Sequence, residues 1–232
     1  MKIKQIIMTS LLSCIMAMTF IACSDDDSNN DIKIPTLSPK EQWGPTLKGD
    51  GEVLGAYPDL YSNYWEYTYQ ADQNSDKILC LKGEYPHCRY FSISLYNDMT
   101  GDVFAGIDDQ DISADNGSTN PFVATTMGKN YFTLYVVPNG TPQSVIDKLG
   151  SSNVVKVAEG VNKVAIALRH YLGTTADGSQ KDEYAGVELP AITALDMNLH
   201  ETFVPEHVAS NVYKVTSKVF TQKSDENREM PF

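Results

Sequence analysis

His87 and Arg89 stand two residues apart, a titratable imidazole beside a permanent cation, and acids follow at Asp108, Asp109, Asp111 and Asp115. Gathered in one cleft, these groups offer the general acid and base of a hydrolase, with the arginine holding a developing anion. The plainer alternative is an ion pair. A charge that points inward from a strand must be paired, and the loop acids could meet Arg89 and pin their loop to a sheet.

The same acids, with Asn116, are hard oxygen ligands of the kind Ca²⁺ takes. The spacing misses an EF-hand, however: Gly117 falls one place late, and Phe122 stands where the bidentate glutamate belongs. A solvated acidic turn is the competing reading, and neither a metal nor any other cofactor is expected. Other chemistry is poorly supported. There is no Gly-x-Ser-x-Gly elbow, and His200-Glu201 has Val204 in the place of a second zinc-binding histidine. Gly49-Asp50-Gly51 with Gly55 misses the dinucleotide spacing. His170, beside Arg169 in a strand pattern, reads as an outward-facing residue.

Aromatics are dense from Tyr57 to Tyr69, where Tyr61, Tyr64, Trp65 and Tyr67 also fall. Trp65, Tyr67 and Tyr69 alternate with Glu66, Thr68 and Gln70, the period of a half-buried strand. Their rings could stack on sugars at a cell surface, or they could build one side of a core, where Tyr and Trp are equally at home.

The N-terminus indicates an address. Lys2 and Lys4 precede an apolar stretch from Leu11 to Ala22, too short to span a bilayer and suited to a signal peptide over residues 1–22. Cys23 follows directly, placed to receive a diacylglycerol and a palmitate-type acyl chain. Several chains on one cysteine give stable membrane attachment, where one alone is reversible. Ser24-Asp25-Asp26-Asp27 resembles the acidic export signal of surface-exposed lipoproteins of the Bacteroidetes, which implies an outer-membrane lipoprotein facing outward. Residues 23–37 then read as an acidic tether and 38–232 as a single domain.

Without residues 1–22 the chain keeps 210 residues, with 16 Lys and Arg against 30 Asp and Glu, a net charge of −14. That length supports one domain with a real core. The charge argues against nucleic acid, which requires a clustered positive face. Cys80 and Cys88 are the cysteines left in an oxidising compartment. They flank a stretch that reads as a hairpin loop, so a bridge between them is feasible, with two buried thiols as the alternative.

Short strands dominate the remaining pattern. They are expected from about Tyr57, then at 77–81, 89–96, 103–105, 131–137, 154–157, 163–171, 187–192 and 212–220. Ser38-Pro39-Lys40-Glu41 forms a capping box with proline at the first helical position, and Thr141-Pro142 opens a second helix that ends at Gly150. Many strands, one or two short helices and no repeating βαβ unit predict a mostly β chain, an antiparallel sandwich of jelly-roll type.

Gly83-Glu84-Tyr85-Pro86-His87-Cys88-Arg89-Tyr90-Phe91-Ser92, with Leu95-Tyr96-Asn97-Asp98 after it, resembles a motif of uncharacterised secreted bacterial proteins. Similar pieces follow in the same order at Asp108–Phe122, Tyr131–Val137, Leu168–Leu172 and Gly186–Pro190. More loosely, the chain is similar to the jelly-roll half of a two-part family of unknown function. The resemblance covers roughly residues 57–192 and implies a β-sandwich without an established activity. Such proteins run on past the equivalent of Phe232, which implies a shortened C-terminus here. The sequence therefore sets a non-catalytic module for a glycan or an envelope protein against a hydrolase built from His87, Arg89 and the loop acids.

Overall fold

The stretch from Trp65 to Gln70, where apolar and polar residues alternate, is a strand in the computed structural model, which describes residues 37–48, 61–125 and 128–211. In chain order the elements are α1 (Pro39–Gln42), β1 (Leu47–Lys48), β2 (Ser62–Gln70), β3 (Ile78–Glu84), β4 (Tyr90–Asn97) and β5 (Val103–Asp108). After these come β6 (Tyr131–Val137), α2 (Gln143–Leu149), β7 (Val154–Lys156), β8 (Lys163–Tyr171), β9 (Ala191–Leu195) and β10 (Glu201–Thr202). The signal peptide, the Cys23 site, the tether and the strand expected at 212–220 lie outside the described residues. Among the described residues no helix is long and apolar enough to cross a membrane.

The strands form two five-stranded sheets, ordered β1-β2-β8-β4-β5 and β10-β9-β3-β6-β7. Inward residues of both interdigitate: Trp65, Ile93, Phe91 and Leu168 from the first meet Leu81, Phe132, Leu134 and Ile192 from the second, all essentially without exposure. The chain is thus a β-sandwich, its two inner faces forming one core. The sheets are not wholly antiparallel. β6 and β7 run parallel, with α2 as the crossover between them, because parallel neighbours need a connection longer than a hairpin.

Several expectations are corrected. The 85–89 link is no hairpin: β3 pairs with β6 and β9, whereas β4 pairs with β5 and β8, so the link crosses from one sheet to the other. Cys80 and Cys88 are therefore not cross-strand neighbours, and both are free thiols. Cys80 sits between Tyr135 and Thr193 in its ladder, and Cys88 Sγ donates to the Tyr90 carbonyl at 3.1 Å. β1 is not among the strands expected from the sequence. The strand expected at 187–192 begins only at Ala191. Pro142 rather than Thr141 caps α2, whose Gly150 C-cap is left-handed at φ 63°.

Two pieces outside the strands lock the ends. The capping box of Ser38 and Glu41 forms α1 as expected. Gln42 then exchanges bonds with the Ile192 backbone at 2.5 and 2.7 Å, and Trp43 Nε1 donates to the Pro190 carbonyl at 2.7 Å. At the other end, residues 205–208 follow β2. Tyr67 OH donates to the Pro205 carbonyl, the Thr68 N–H donates to His207 Nδ1 at 3.0 Å, and the Val208 N–H donates to the Thr68 carbonyl at 2.8 Å.

Candidate functional site

Successive residues of a strand point to opposite faces, so the burial of one set decides what the other can do. Trp65, Tyr67 and Tyr69 are 1%, 1% and 4% exposed. They are core residues and offer no stacking surface. His170 is likewise buried, not outward-facing: it shares the inward parity of Val164, Ile166 and Leu168 and packs edge-on against Trp65 and Phe91. Burial lowers its pKa to about 4, so the ring is held neutral, despite a hydrogen bond to the Glu183 backbone.

The opposite parity builds a different surface. On the outward face of the first sheet, Ser62, Tyr171 and Tyr90 form one rung across β2, β8 and β4, and Tyr64, Arg169, Ser92 and Asp108 form the next, extending onto β5. Arg169 is the centre of these two rungs. Its guanidinium carbon lies 5.6 Å from the Tyr64 ring centroid, 5.4 Å from Tyr90 and 5.7 Å from Tyr171. The guanidinium also donates from Nε and Nη2 to Ser62 Oγ at 3.3 and 3.2 Å. Three ring faces around one cation are mutually attractive, because the quadrupole of each ring is negative at its face. Tyr90 OH donates to Asp108 Oδ1 at 2.6 Å, and burial first, then Asp108, raises the phenol's pKa.

Small side chains lie beside the two rungs. Ser94, Ala167 and Gly106 occupy the neighbouring rung of β4, β8 and β5. The three tyrosines of the cluster are half-buried, so they are fixed in place yet present part of their rings to solvent. Nearby, Tyr61 is 51% exposed, with Lys181 Nζ 5.2 Å from its ring centroid. Tyr64 and Tyr90 could have been assigned to this face by parity, because their strand neighbours Trp65 and Phe91 point into the core. Arg169 carried no separate signal, since its role depends on which strands flank β8.

The sequence-derived candidates go to different places. His87 lines a cavity of about 250 Å³ between the 85–88 link and the 119–124 loop. Arg89 is exposed just before β4, where its backbone N–H donates to the Tyr171 carbonyl at 2.9 Å. It is not the inward-pointing strand residue that an ion pair would need, and among the described residues it makes no ion pair. Asp108 joins Tyr90, as above. Asp109 is buried and accepts the Phe91 N–H at 3.0 Å, while Asp111 is exposed in the loop. Asp115 accepts from Thr133 Oγ1 at 2.9 Å. Among the described residues, no three His, Cys, Asp or Glu side chains gather as a metal cage.

No protein-family model matches the chain, and no curated protein matches it. Among solved structures, an uncharacterised protein from Burkholderia cenocepacia is similar over 59% of this chain and 30% of its own length, at 14% identity and a TM-score of 0.37.

Proposed function

We propose that this chain is a non-catalytic glycan-binding module of the bacterial cell envelope, displayed at the outer surface by lipid on Cys23. The observation that carries the reading is the frame of Tyr64, Tyr90 and Tyr171 around Arg169 on the outward face of the first sheet. Half-buried aromatic rings give a saccharide flat apolar faces at low cost in side-chain entropy. Asp108 is exposed beside them as an acceptor for a sugar hydroxyl. The acidic charge and the acidic stretch after Cys23 fit an envelope setting rather than a polyanion partner.

Dispersal of the titratable groups supports binding over hydrolysis. A hydrolase needs its acid, its base and its charge-stabilising donor within hydrogen-bond reach of one reacting centre. Of His87, Arg89, Asp108, Asp109 and Asp111, only His87 lines the 250 Å³ cavity. Cys88, its neighbour there, is no nucleophile at neutral pH, because burial pushes its thiol up to about 12.

The test is a glycan array probed with the full chain and with Tyr64→Ala and Tyr171→Ala variants. Retention of a defined glycan set, lost in both variants while their thermal melts stay cooperative, is the expected result. Absence of any retained glycan, or retention untouched by both substitutions, would overturn the reading.

A further inference from the structure

The cavity beside His87 is distinct from the tyrosine face. Its walls are the Tyr85–Cys88 link and the Thr119–Ala124 loop, closed by Gly128 and Asn130. Backbone bonds hold these walls in register: Tyr85 N–H to the Asn130 carbonyl at 2.8 Å, Thr119 N–H to the Lys129 carbonyl at 2.7 Å, and His87 N–H to the Ala185 carbonyl at 2.8 Å. Asn120 anchors the loop from below, its Nδ2 donating to the Asp109 and Ile112 carbonyls at 2.6 and 2.8 Å. Tyr85 OH is spent on the Ile112 carbonyl at 2.7 Å, so Tyr85 gives the cavity a ring and no hydroxyl.

Among the described residues, Tyr85, His87 and Cys88 are the titratable side chains that line this space, and Pro86, Pro121 and Phe122 make its surface chiefly apolar. Two polar groups on the lining are uncommitted. Neither the His87 imidazole nor the Thr119 hydroxyl has a hydrogen-bond partner among the described residues, and Asn130 Nδ2 makes only a 3.4 Å bond. An apolar concave site with a few convergent polar groups is the usual form of a small-molecule pocket. An apolar cavity of roughly 150 Å³ accommodates benzene, so about 250 Å³ has room for a substituted or fused ring. A sugar is a poor occupant, because most of its hydroxyls would face proline and phenylalanine without partners.

We infer that this pocket is a second binding site, for an uncharged aromatic molecule of indole or phenol type whose one polar group meets His87 and Thr119. The ring would pack against Phe122 and the two prolines. This site is independent of the glycan reading and stands or falls separately.

Calorimetric titration of the full chain with indole, and with glucose as the non-aromatic control, tests it. Saturable binding of indole alone is expected, weakened roughly tenfold or more in Ala124→Phe, which fills the cavity, and in His87→Ala, and unchanged in Tyr64→Ala. NMR of the unsubstituted chain supplies a check that needs no variant: indole should shift the resonances of His87 and Thr119. No saturable binding of indole, full affinity in a folded Ala124→Phe chain, or unmoved His87 and Thr119 resonances would each overturn the inference.

Discussion

Lys163 Nζ lies 2.6 Å from Asp98 Oδ2, with the lysine side chain 10% exposed and the carboxylate wholly buried. The pair ties three segments together. Asp98 follows β4, Lys163 opens β8, and the segment beyond the second sheet is caught on both: Asp98 accepts from Ser210 Oγ at 2.8 Å and the Asn211 N–H at 2.7 Å, and Lys163 donates to the Ala209 carbonyl at 2.7 Å. Replacing the lysine takes a cation from beside the wholly buried Asp98 carboxylate. Lys163→Met should cost about 3–5 kcal/mol in denaturant unfolding and speed proteolysis near residue 209. An unchanged midpoint would refute this account of the pair.

His170 gives the fold a pH dependence. Its folded pKa of about 4 lies below the ordinary histidine value of 6.5, so the unfolded chain binds the extra proton and stability falls as pH drops. The contribution is complete above about pH 6.5 and lost progressively toward pH 4. It amounts to about 3 kcal/mol. His207, also depressed by burial, acts in the same direction, whereas Glu66, raised by burial, opposes both. In urea unfolding at a series of pH values, His170→Phe should flatten the loss between pH 6.5 and 4; equal slopes in both chains would show that another group carries it.

The period of the strands made most of the sandwich legible, and the pairing of strands did not. β6 and β8 fall where the alternation places them, since each puts a run of apolar residues on one face. β2 was ambiguous because both of its faces carry aromatics: Trp65, Tyr67 and Tyr69 inward, Tyr64 outward. Only burial separates the two sets. His170 continues the inward parity of Leu168, although a polar ring gives no apolar signal there. Cys80 and Cys88 imitated a hairpin, because nothing in the 83–87 stretch distinguishes a turn within a sheet from a step between sheets. β1 and β10, of two residues each, are too short for any period to show.

Free thiols at Cys80 and Cys88 predict two modifications by iodoacetamide after denaturation without reductant. In the folded chain Cys88 should react very slowly at neutral pH, because its thiol is raised to about 12 by burial. Mass spectrometry of peptides carrying each cysteine reads both outcomes. A bridged peptide pair would contradict the geometry.

Gly186 has φ +73°, and a Cβ there would lie 2.7 Å from the Ala176 nitrogen and 3.0 Å from His87 Cδ2. Left-handed strain and a backbone clash add, so Gly186→Ala should cost about 2 kcal/mol or more. A calorimetric melt measures it. The substitution should also disturb the His87 side of the pocket, visible as loss of indole binding; a variant as stable as the parent would mean that the loop yields freely.

The order in which the sheets close has a consequence for the timing of folding. β8 is the central strand of its sheet, and its partner Ser62 lies 109 residues before Tyr171. Until β8 is available, β2 and β4 have no strand between them, and the tyrosine frame has no arginine to surround. Such non-local pairing makes folding slow, on the order of milliseconds to seconds. A growing chain therefore carries the unpaired edges of β2 and β4 until β8 has been synthesised, and these are the edges where misassociation would start.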